Sequence, residues 1–144
     1  MNDLNELTSN KFKKLVISNK FYCIYQISLI QLNLIDLNKL SFFSFIKTER
    51  ELSIIAESNS LKSYNKIDPD WQRLHFDESI PFSFSGILSS VLLPLAKENI
   101  SVLVTSSFNT DYIFFKKEEI KNVITTLKFF NFELNYSKGG KDDK

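Results

Sequence analysis

The sequence predicts an α+β fold of the ferredoxin-like type, strand–helix–strand–strand–helix–strand, with helices on one face of an antiparallel sheet. Three observations carry that expectation. Ile87, Leu88, Val91, Leu92 and Leu95 recur at helical spacing, and so do Ile120, Val123, Ile124 and Leu127. Between the two stripes lie strand-like runs, Ile100 to Thr105 and Asp111 to Phe115, separated by the polar turn Ser106 to Thr110. An alternating segment opened by Trp71 precedes the first stripe, and Phe132 to Tyr136 follows the second as a last strand.

Composition bounds the rest. A chain of 144 residues with 43% hydrophobic and 24% charged residues fits one domain, or two very small units fused, with a core that needs no staples. The 14 Phe against 3 Gly and 3 Pro predict bulky packing and few long loops. A formal charge of +1 provides no field to attract nucleic acid or an anionic membrane. Cys23 is the single cysteine, which excludes an intrachain disulfide and fits a reducing cytoplasm. Its neighbours Phe21, Tyr22, Ile24 and Tyr25 place it in a buried strand as a structural thiol. The polar N-terminus does not read as a secretory signal, and no apolar run approaches the ~20 residues of a membrane helix. A soluble, cytoplasmic protein is expected.

Residues 1–13 read as a polar lead-in. Phe21 to Ile27 reads as a strand, and LIQLNLIDLNKL has spacing that does not decide between helix and loop. Phe42 to Lys47 and Leu52 to Glu57 form a hairpin across the charged turn Thr48 to Glu51. Ser58 to Asp70 has the composition of a surface connection. In the strand after it, Leu74 and Phe76 share one face and Trp71 caps the edge of the core. Ser83 or Ser85 is expected to cap the following helix, and Pro94 to kink it or split it in two. Glu118 and Glu119 complement the positive end of the second helix, whose buried face extends to Phe130. SKGGKDDK reads as a polar tail over 137–144 with nothing to bury.

In this order, FFSFIKTERELSIIAE (Phe42 to Glu57), Trp71, PFSFSGILSSVLLPLAKENISVLV (Pro81 to Val104) and SSFNTDYIFF (Ser106 to Phe115) resemble small tandem ACT-domain proteins. These are related to amino-acid-sensing ACT modules of the aspartate kinase and arginine-sensor types. Lys47 to Ile54 stands for a hairpin signature of the type TRT-x-x-ELSI. Phe82 with Gly86, Pro94 to Ala96, and Ser106, Ser107, Thr110 and Asp111 match three further motifs. The resemblance spans about Lys14 to Phe132, with Ser106-Ser107 where the pattern has Ser-Thr. It implies two ACT-like halves side by side, 14–70 with degenerate helices and 71–136. It also implies homodimers, and amino acids bound where ACT units meet through Gly86, Ser107, Phe108 and Asp111.

The chemistry of that corner suits a zwitterion. Amides at the start of the Gly86 helix favour a carboxylate, and Gly86 has no side chain to block approach. Asp111 is placed to take an ammonium group, with hydroxyls from Ser106, Ser107 and Thr110 and an apolar wall from Phe108. Each residue also has a purely structural role open to it, as a cap or a turn former. A ligand-free interaction or dimerisation module is therefore the competing expectation, with single-strand RNA binding a weaker third. Catalysis is not expected. His75 has no nucleophile beside it, Asp68, Asp70, Asp77 and Glu78 match no calcium or zinc spacing, and no glycine-rich phosphate loop or other cofactor motif is present.

Overall fold

A computed structural model describes residues 12–61 and 63–138. Residues 1–11 of the lead-in and 139–144 of the tail lie outside the described residues. The strands are β1 (Lys14–Gln26), β2 (Phe43–Lys47), β3 (Leu52–Glu57), β4 (Lys66–Phe76), β5 (Val102–Ser106), β6 (Asp111–Lys116) and β7 (Glu133–Tyr136). The helices are α1 (Leu29–Asn33), α2 (Ile87–Lys97) and α3 (Ile120–Phe129), with 3-10 turns at Leu37–Lys39 and Lys117–Glu119. Phe12, expected in the polar lead-in, is buried against Phe84, and Ser137, expected in the tail, is buried with its amide on Ile17 O at 2.8 Å.

All seven strands join one sheet in the order β2-β3-β1-β4-β6-β5, with β7 attached to β1. The expected ferredoxin-like pairing is met only in part. A ferredoxin-like second half would pair β7 with β4, but β1 sits between them and β7 runs parallel to it, Leu15 opposite Leu134. The cause is the length of β1, which has 13 residues where a strand from Phe21 was expected. Its first part serves β7, its last part pairs antiparallel with β3, and β4 follows it along the other edge. Between Ile17–Leu74 and Phe21–Gln72, β1 takes two more residues than β4, and the register shifts. Ser18 holds this bulge, accepting at Oγ from Lys20 N (3.1 Å) and meeting Tyr22 OH at 2.9 Å.

β4 also begins earlier than expected, at Lys66, because the end of β1 pairs with the polar stretch Lys66 to Asp68. Pro69 and Asp70 fall at a second register shift, where a missing N–H is tolerated and Asp70 adopts φ 69°. Trp71 therefore lies mid-strand and buried, not at the edge of the core.

Strand alternation sorts the side chains into two faces. On the helix side, Leu15, Ile17, Leu74, Phe76, Ile113 and Phe115 pack under α2 and α3 with Val91, Leu95, Val123 and Leu127. Also on that side, Cys23, Tyr25, Leu52, Ile54 and Ala56 form a smaller core with Leu61, Leu32 and Tyr64. The opposite face carries Tyr22, Trp71 and Phe114, packed with Phe42, Ile55, Leu103 and Tyr112. The sheet curls around this inner face far enough that Ser44 of β2 meets Thr105 of β5, strands at opposite ends of its order, at 3.1 Å between hydroxyls.

The helices differ in the same way. α1 has five residues and buries none of them, which resolves the ambiguous stretch after Ile27 as little more than a turn of helix. α2 runs unbroken through Pro94, which is buried on its core face, so the split expected there does not occur. Both long helices end alike. Asn99 and Asn131 take positive φ (58° and 68°), and the following Ile100 and Phe132 donate back to Leu95 O and Leu127 O, each at 3.0 Å. That arrangement satisfies the last carbonyls and seats an apolar residue against the helix. Phe130 precedes this reversal and is 40% exposed, so it does not continue the buried stripe of α3.

Candidate functional site

The corner lies where the β5–β6 turn meets the segment leading into α2. Ser106 and Asp111 are opposite each other in the last rung of the hairpin, and Ser106 Oγ donates to Asp111 Oδ1. Ser107 N donates to Thr110 O at 2.8 Å, and its hydroxyl donates to Thr110 O (3.1 Å) and accepts from Thr110 N (3.3 Å). The turn is thus closed by its own groups. From the other side, Ile80 N donates to Asn109 O at 2.8 Å, which fastens the approach to α2 onto the turn. Phe82 and Phe108 meet edge to face at 5.7 Å while staying 79% and 81% exposed.

The gap between the two segments is a cavity of about 110 Å³, lined by Ile80, Pro81, Phe82, Phe84, Ser107, Thr110 and Asp111. Ser107, Thr110 and Asp111 are thus together, whereas Gly86, Ser106 and Phe108 are not among its lining residues. Among the described residues Thr110 Oγ1 is buried with no hydrogen-bond partner, a cost unless a partner arrives. Ile80 and Phe84 were not legible as walls, because neither sits on an element whose periodicity reveals a facing side.

Gly86 is the first residue of the α2 cap, at φ 81°, a region where a Cβ is penalised. The caps expected at Ser83 or Ser85 are not formed. Among the described residues no side chain accepts from the first-turn amides of α2, and Ser89 and Ser90 instead donate to the carbonyls Gly86 O (2.9 Å) and Ile87 O (2.5 Å).

Elsewhere, Cys23 is fully buried, and burial raises its thiol above the ordinary range, as suits a structural residue. Among the described residues, no group of three or more His, Cys, Asp or Glu side chains is arranged to hold a metal ion. No helix among them is long and apolar enough to cross a membrane.

Residues 66–128, from β4 into α3, match the family model described as ACT domain. This segment is therefore similar to ACT domains. The human protein CASTOR3P is 31% identical over 99 residues, covering 60% of this chain and 61% of that relative. The match therefore spans less than two thirds of that relative's length. The crystal structure of protein Atu0741 from Agrobacterium tumefaciens superposes with a TM-score of 0.69 at 26% identity, over 87% of this chain and 93% of that one. The regulatory subunit of aspartate kinase from Thermus thermophilus, in its ligand-free form, has a TM-score of 0.58 at 10% identity, over 83% and 97%, and shows the shared fold.

Proposed function

We propose that this chain is a regulatory module, not an enzyme, that binds an amino acid or similar small metabolite where two ACT units meet. In this reading residues 14–70 and 71–136 are the two ACT-like halves of one chain, and the chain works as a cytoplasmic homodimer. The observation that carries the proposal is the half-built state of the corner. Its cavity holds about 110 Å³, against the roughly 300–1,000 Å³ of a complete small-molecule site. Beside it, two aromatic rings remain exposed and one buried hydroxyl lacks a partner among the described residues. A second unit laid over Phe82 and Phe108 enlarges the cavity and shields it from water.

Within such a site the roles follow from charge and geometry. The uncapped amides at Gly86 receive the ligand carboxylate. Asp111, already accepting from Ser106, receives the ammonium, with Ser107 and Thr110 alongside. A ligand touching both units favours the arrangement in which both contact it, which is how binding becomes a signal. The relation to regulatory subunits of aspartate kinases supports the regulatory half of the proposal.

Thermal melting against a panel of proteinogenic amino acids at millimolar concentration tests this. At least one is expected to raise the melting temperature of the native chain, and Asp111→Ala to abolish the shift. The exposed Phe82–Phe108 pair also favours a second reading, a ligand-free dimerisation surface. Light scattering that finds the same dimer in native and Gly86→Val protein, with no amino acid shifting either, supports that reading instead.

A further inference from the structure

We infer that Phe42 and Ser44, far from the corner in sequence, are positioning residues for it, gripping the β5–β6 hairpin from the opposite face of the sheet. The inference rests on the function proposed above and adds how the corner is coupled to the first half. Its basis is the order of the rungs. Ser106 and Asp111 form one rung of the hairpin, and Thr105 and Tyr112 form the next. Side chains of adjacent rungs point to opposite faces, so Thr105 and Tyr112 stand on the inner face directly behind the pair proposed to hold ligand.

That second rung is held by residues of the first half. Tyr112 packs edge-on against Phe42, with centroids 5.0 Å apart, and Thr105 shares its hydroxyl bond with Ser44 at 3.1 Å. The two contacts come from a single short stretch, Phe42 just before β2 and Ser44 within it. Arg73 joins them, its guanidinium 5.1 Å from the Phe42 ring and 5.0 Å from the Tyr112 ring, itself only 3% exposed. A cation fixed between two rings resists separation of either ring from it. Close packing on this face leaves no slack to absorb a shift of the rung. Ligand seated on Asp111 therefore steadies Tyr112, and with it β2, which among the described residues has a partner strand on one side only.

Amide hydrogen exchange on the full chain, with and without each proteinogenic amino acid at millimolar concentration, tests the coupling. The amino acid that slows exchange at 106–111 is expected also to slow it at 43–47, by about fivefold or more. In Phe42→Leu and in Ser44→Ala the protection at 43–47 is expected to disappear while that at 106–111 remains. The Ser44 variant keeps the test open if the Phe42 variant folds poorly. Protection confined to 106–111 in the native chain, or surviving at 43–47 in both variants, overturns the inference and leaves the proposed function standing. Absence of protection at 106–111 with every amino acid overturns both.

Discussion

The two hairpin ends of this chain are built on the same plan and finished differently. In the first, Thr48 N donates to Glu51 O at 2.8 Å while Thr48 Oγ1 accepts from Arg50 N and Glu51 N, each at 3.2 Å. In the second, Ser107 N donates to Thr110 O at the same 2.8 Å and Ser107 Oγ accepts from Thr110 N. The helices before them diverge. Ser28 and Gln31 close a capping box on α1, with Ser28 Oγ accepting from Gln31 N (3.2 Å) and Gln31 Oε1 from Ser28 N (2.9 Å). Gly86 offers α2 no side chain at all. The first turn is edged by Glu49, Arg50 and Glu51, the second by Phe108 and, across the cavity, Phe82. One backbone device thus serves a corner that satisfies itself and a corner that leaves donors and apolar surface open. The proposed ligand site lies at the second.

The largest expected effect concerns whether the two regions are separate at all. Leu127→Ala empties a fully buried position beneath α3 and is expected to cost about 2–5 kcal/mol in chemical denaturation. Because β1 and β4 run through both regions, amide exchange in β3 should accelerate along with that in β6. Native protection surviving in β3 would show two independent units and break the single-sheet account.

A smaller pair of substitutions sharpens the contrast between the helix starts. Gly86→Ala places a Cβ at φ 81° and is expected to cost about 1–2 kcal/mol. Ser28→Gly should cost only a few tenths of a kcal/mol, and Ser28→Ala about 1 kcal/mol. An unchanged melting temperature in Gly86→Ala would contradict the left-handed cap.

A further effect lies in the first region, at the Glu57 end of β3, and depends on pH. Tyr25 OH donates to Glu57 O and Ser58 O, both at 3.1 Å, and burial pushes its pKa up to about 12. The folded chain therefore keeps a proton that the unfolded chain releases near pH 10. Stability from this group is complete below about pH 10 and falls as pH rises toward 12. Tyr25→Phe should lose about 1 kcal/mol at neutral pH and flatten that alkaline decline. An unchanged alkaline slope in the variant would assign the decline to other groups.

How much of this was legible follows the same contrast. The β2–β3 hairpin could be read because a charged turn interrupts two strand-like runs, and α3 because its stripe is regular. The sheet order could not. Ser18, Asn19 and Lys20 give the middle of β1 the composition of a loop, and Lys66 to Asp70 does the same for the start of β4, yet long partners carry both into the ladder. Serine density before α2 pointed to a hydroxyl cap, whereas the chain uses the conformational freedom of Gly86. The turn residues of the candidate corner were legible as polar groups at a strand end. Their walls, Ile80 and Phe84, were not, because a loop without period hides which side chains face inward.

The most direct test of the central claim compares the two corners in one experiment. Backbone amide chemical shifts of the labelled full chain are followed as each proteinogenic amino acid is titrated to millimolar concentration. The account predicts that at least one moves the amides of Gly86, Ile87 and Ser107 to Asp111 in a saturable way while those of Ser28 and Thr48 to Glu51 stay in place. Saturable shifts confined to Ser28 and Thr48 to Glu51, or none at either corner, would contradict it.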